Sequence, residues 1–75
     1  MRKIKYENFA FEEVEGGVEV YNKDHIYICT LSADYTEGIE KDDLFSGDES
    51  KAKRRLDKAA YFMEITSRQL TKLIS

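Results

Sequence analysis

The chain of 75 residues has no proline and no tryptophan, one cysteine, one histidine and four glycines. These shortages exclude several classes of function. A lone thiol, Cys29, has no internal disulfide partner and no second thiol with which to build a zinc site. With His25 as the single imidazole, the ordinary Ser-His-Asp, Cys-His and histidine-metal arrangements have almost nothing to draw on. His25 falls in a predicted turn and Cys29 on the inward side of a predicted strand, where a thiol is an inert small hydrophobe. No phosphate-binding loop or dinucleotide fingerprint occurs. Asp42 and Gly47 match the first and sixth positions of a calcium loop, but Leu44 and Lys53 stand at the third and twelfth, where oxygen ligands are needed. The expectation is a protein with no catalytic residues, no metal and no cofactor. No apolar run approaches the roughly 18 residues of a membrane span, and residues 1–6 lack the apolar stretch of a signal peptide. A cytoplasmic protein without membrane contact is expected.

Hydrophobic residues make up 41% and charged residues 36%, the composition of a globular chain long enough for a single domain. The formal net charge of −3 conceals a division along the chain. Residues 1–6 hold Arg2, Lys3 and Lys5 and no acid. Residues 7–49 hold thirteen acids against Lys23 and Lys41, and residues 50–75 hold seven basic residues against Asp57 and Glu64. Such asymmetry marks one end for a nucleic-acid or protein partner, unless the folded chain neutralises one half with the other.

The first half reads as strands. Val18-Glu19-Val20-Tyr21 and Ile26-Tyr27-Ile28-Cys29-Thr30-Leu31 are β-branched and aromatic, Gly16-Gly17 suits a tight hairpin, and Asn22-Lys23-Asp24-His25 is turn chemistry. A first strand is predicted over Ile4 to Glu15, though Glu12-Glu13 interrupts its pattern and leaves its register open. With Lys23 and Asp24 as a two-residue turn, Tyr21 faces Ile26, and Val18, Val20, Tyr27, Cys29 and Leu31 share the core side. Tyr21, Ile26 and Ile28 then fall on the other side with Glu19, an apolar outer face fit to cover a second subunit. The expected architecture is α+β: a three-stranded antiparallel β-meander over residues 1–33, an acidic connection over 34–46 with room for one helical turn, and a basic helical part over 47–75.

Ser46 with Glu49 three residues on is a capping box, placing a helix start near Gly47. Ala52, Leu56, Ala59, Met63, Thr66, Leu70 and Leu73 then repeat at alternating spacings of four and three, one stripe of a continuous helix. A second start signal, Thr66 with Gln69, instead divides the segment into two short helices. In that form residues 56–75 resemble the bacterial helix-turn-helix. Ala60 stands at the small position of the first helix, Met63, Ile65, Leu70 and Leu73 at apolar positions, and Glu64 where such motifs usually carry a turn glycine. The resemblance implies that Ser67, Arg68, Thr71 and Lys72 face the major groove while Lys51, Arg54, Arg55 and Lys58 contact phosphates.

Two partners are therefore expected. A small regulatory or accessory protein would bind DNA through the basic half. Alternatively, as in small phage-type inhibitors that mimic nucleic acid, an acidic face of Glu12, Glu13, Glu15, Asp42 and Asp43 would bind a basic nucleic-acid-binding protein. A structural subunit of a larger assembly is a third reading. With so small a core, homodimerisation would supply contact area that one chain lacks.

Overall fold

The computed structural model describes residues 1–38 and 41–62. Four antiparallel strands, β1 (Lys3–Lys5), β2 (Phe9–Val14), β3 (Gly17–Asn22) and β4 (Tyr27–Ser32), lie side by side in chain order. Two short helices, α1 (Ala33–Gly38) and α2 (Lys41–Leu44), and the longer α3 (Glu49–Phe62) follow. The α+β class holds, with four strands in place of three.

The added strand arises because the predicted first strand folds back on itself. Ile4 and Tyr6 occupy even positions and Phe9 and Phe11 odd ones, so one extended strand would send them to opposite faces. A turn at Tyr6–Phe9, closed by the Tyr6 N–H donating to the Phe9 carbonyl at 2.8 Å, brings all four to one side and sets Ile4 opposite Phe11. Between β2 and β3 the turn residues are Glu15 and Gly16, with Val14 opposite Gly17. Gly16 takes the positive φ of 92° that the turn demands.

The connection from β3 to β4 is longer than the predicted two-residue turn. The Asn22 side-chain oxygen accepts the N–H groups of Asp24 (2.9 Å) and Ile26 (3.0 Å), and the Asn22 carbonyl accepts the His25 N–H (2.9 Å). This Asx-type loop moves the register so that Val20 faces Cys29 and Val18 faces Leu31. A bulge then leaves Ile28 unopposed and pairs Tyr21 with Tyr27. The bulge exchanges two expected positions. Tyr27 lies on the outer face, 51% exposed, with its hydroxyl 2.6 Å from that of Thr30, while Ile28 packs against the core. The exchange puts the ring with a polar tip toward water and the wholly apolar chain inward.

The acidic connection holds α1 and α2 where a single helical turn was expected. Thr36, fully buried, donates back to the Ser32 and Ala33 carbonyls, and Leu44 buries completely. The start of α3 also differs from the capping-box reading. Gly47 has φ +93°, outside the helical region, so no helix can run through it. Asp48 caps instead, its Oδ1 accepting the Lys51 N–H at 3.1 Å and its carbonyl the Ala52 N–H at 3.0 Å. Ser46 accepts the Asp48 N–H and donates to the Asp43 carbonyl. Glu49, released from capping, accepts the Asn8 N–H at 3.1 Å and so ties α3 to the first turn.

The core lies between the inner sheet face and the helices. Tyr6, Phe9, Phe11, Val18, Val20 and Leu31 meet Leu44 and the expected stripe of Ala52, Leu56 and Ala59. The Tyr6 ring is 5.2 Å from that of Phe9, and its hydroxyl donates to the Leu44 carbonyl (2.8 Å) while accepting the Gly47 N–H (3.1 Å). One buried phenol thus satisfies two backbone groups at the link between α2 and α3.

Candidate nucleic-acid interface

Helix α3 turns about 100° per residue, so positions i, i+3, i+4 and i+7 share a face. Lys51, Arg54, Arg55 and Lys58 occupy those positions, beside the buried stripe of Ala52, Leu56 and Ala59. The four cations and Asp43 line one surface cleft of about 560 Å³. Asp43, on α2, accepts the Arg55 Nε–H at 2.7 Å and fixes that guanidinium along the cleft wall. Lys51, Arg54 and Lys58 are exposed, and among the described residues none has a carboxylate within ion-pair distance. Lys53 points elsewhere on the helix, toward Asp57. Three unpaired cations around an oriented fourth can receive the oxygens of a polyanion. The structure therefore gathers all four predicted phosphate contacts. Ser67, Arg68, Thr71 and Lys72, together with the apolar positions from Met63 to Leu73 that distinguish one helix from two, lie outside the described residues.

The five acids of the alternative face do not form one open surface: Arg2 bridges Glu13 and Asp42, while Glu12 lies on the other side of the sheet. Glu12 is on the outer sheet face, 3.8 Å from Lys3 and 3.3 Å from the His25 ring. Glu13, next along β2, points to the opposite side, where Lys41 (3.0 Å) and Arg2 (3.4 Å) hold it. Asp42 pairs with Arg2 at 2.8 Å, Asp43 with Arg55, and Glu15 is exposed in the β2–β3 turn. Hydrogen bonds from Lys41, then from the Arg2 backbone and side chain, pull the Glu13 carboxyl down to about 2. Hydrogen bonds to Asp42 and then to Glu13 raise the Arg2 guanidinium further. A carboxyl whose folded value lies below its unfolded value stabilises the fold above the unfolded value and loses that effect as pH falls toward the folded one. Thermal melts of wild type and Glu13→Gln should therefore differ most above about pH 5 and converge as pH drops toward 2, where both carry a neutral group. Parallel curves over that range would show that Glu13 is not held as its contacts indicate.

On the outer face Tyr21 stacks on His25 at 4.5 Å with the rings 6° apart, and Tyr27 meets Tyr21 edge-on at 6.0 Å. Burial, then the charges of Glu12 and Glu19, push the Tyr21 hydroxyl up. Burial likewise pushes the Cys29 thiol up to about 11, so it stays protonated and poorly nucleophilic. Among the described residues no group of three or more His, Cys, Asp or Glu side chains could hold a metal ion, and no helix is long and apolar enough to cross a membrane.

Asp43, read from the sequence as part of an acidic face, stands in the wall of the cationic cleft. It lies twelve positions before Arg55, and only the turn after α2 brings the two together. No local pattern could have announced that pair. Comparison of the chain with models of known families, with curated proteins and with solved structures finds no match.

Proposed function

We propose that this protein acts by binding, without catalysis, and that the cationic face of α3 engages the phosphates of a nucleic-acid duplex. The observation that carries this reading is the set of Lys51, Arg54, Arg55 and Lys58 on one helical face, three of them exposed and unpaired among the described residues. The intramolecular pairing of Glu12, Glu13, Asp42 and Asp43 favours it over an acidic mimic of nucleic acid. In this reading the helix-turn-helix resemblance assigns base contacts to Ser67, Arg68, Thr71 and Lys72, and phosphate contacts to the described helix.

Counterion release makes such binding salt-dependent, with a log–log slope of about −0.9 for each phosphate neutralised. Duplex titrations by fluorescence anisotropy across a salt series are expected to show that dependence. The triple change Lys51→Ala, Arg54→Ala, Lys58→Ala should flatten the slope by up to about 3. Arg68→Ala with Lys72→Ala should chiefly erase discrimination between duplexes. Unchanged affinity in the triple variant would remove the reading. The net charge of −3 keeps the rival in view. Capture of a basic nucleic-acid-binding protein, lost when Glu12, Glu13, Asp42 and Asp43 are neutralised, would establish mimicry instead.

A further inference from the structure

The two edges of the sheet are built differently. The β1 edge is three residues long and carries Lys3 and Lys5 with Arg2 beside them, the short charged form that discourages strand addition. The β4 edge is six residues long, and from Ile26 to Ala33 the chain holds no charged side chain and no proline. Among the described residues no strand pairs with its outer side. Ile28 stands unopposed in the bulge, and on either side of it the backbone groups alternate in direction, so every second N–H and C=O there turns away from β3. Tyr27, the first residue of this edge, is 51% exposed, and Ile26 just before the strand 59%.

We propose that β4 pairs antiparallel with β4 of a second copy, joining two four-stranded sheets into one of eight strands. A second copy is the occupant because the uncharged strand is its own complement: a two-fold axis across β4 sets no like charges opposite one another, whereas β1 against β1 would oppose lysines. Pairing β4 with β1 of the next molecule would leave an edge open at each end and grow without closing, while the two-fold pairing closes at two chains. Continuity of the faces requires residues of like orientation to oppose each other, and on the outer side of β4 these are Tyr27 and Thr30, which the bulge at Ile28 sets three positions apart. None of the cations of α3 takes part, and the proposal stands or falls apart from nucleic-acid binding.

Sedimentation of the full chain over a concentration series, with hydrogen exchange at each concentration, tests it. The expected result is a monomer–dimer equilibrium in which the β4 amides not bonded to β3 exchange more slowly as concentration rises. Tyr27→Lys with Thr30→Lys should raise the dissociation constant by about tenfold or more with an unchanged circular dichroism spectrum. Should that variant fold poorly, Ile26→Lys, in the exposed loop before the strand, repeats the measurement with a smaller rise. A monomer at every concentration would overturn the proposal. So would a dimer indifferent to these changes, or β4 protection independent of concentration, which would mean that the chain covers its own edge.

Discussion

Phe11→Ala is expected to cost about 3–5 kcal/mol of folding stability, read as a lower urea midpoint with an unchanged slope. Phe11 is fully buried in β2, opposite Ile4 on one side and Val20 on the other. Its ring lies 5.2 Å from Phe9, 6.0 Å from Tyr6 and 6.2 Å from Phe45, joining the sheet to the segment after α2. Those neighbours are fixed by strand pairing and by the Tyr6 hydrogen bonds, so the space left by the ring collapses little. A domain of this length has a margin of only about 4–11 kcal/mol, so the change removes a large share of it. Phe11→Leu keeps most of the volume and should cost about 1.5 kcal/mol or less. A loss under about 1 kcal/mol for the alanine variant would show that the aromatic cluster is not the centre of the core.

Gly17→Ala should be nearly as damaging, through the backbone alone. A Cβ at Gly17 would meet the Leu31 carbonyl oxygen of β4 at 2.0 Å, and its φ is +156°. The ladder must open there or the residue must rotate, and overpacking together with left-sided backbone strain sums to about 3 kcal/mol. For a domain of this size that shifts the melting temperature by roughly 12–24 °C. Gly16→Ala is the control. It has φ +92° with nothing within 4 Å of a built Cβ, so only the conformational cost of about 1–2 kcal/mol applies. Equal losses at the two positions would mean that the close approach of β3 to β4 is not what selects glycine at 17.

Much of this architecture is legible in local pattern. The runs 18–21 and 26–31 carry their strand character in β-branched and aromatic residues, and Ala52, Leu56 and Ala59 their burial in helical spacing. The extra strand was also legible, in the parity conflict between Ile4 and Tyr6 on one hand and Phe9 and Phe11 on the other. What pattern could not supply came from competition between near-equal local choices. Ser46 and Asp48 both offer an oxygen to the start of α3, and the positive φ of Gly47 decides for the later one. Lys23-Asp24 would close a shorter turn, and the side chain of Asn22 closes a longer one by accepting two N–H groups. At the site, the helix-turn-helix resemblance named Lys51, Arg54, Arg55 and Lys58, and their helical spacing accounts for their sharing one face. Which carboxylates would be taken up by Arg2, Lys41 and Arg55 depends on contacts across the fold, about which neighbouring residues carry no information.

The Tyr6 hydroxyl, the Asn8 N–H and the Arg2 guanidinium reach partners 38, 41 and 40 residues away, all in or beside α2 and the first turn of α3. Strand neighbours in the meander, by contrast, find one another across short turns and can assemble early. A single long loop closure brings all three distant bonds within reach, and once one has formed the other two come at little further entropic cost. The helical layer should accordingly dock and detach from the meander as one cooperative step, late in folding and first to go in partial unfolding.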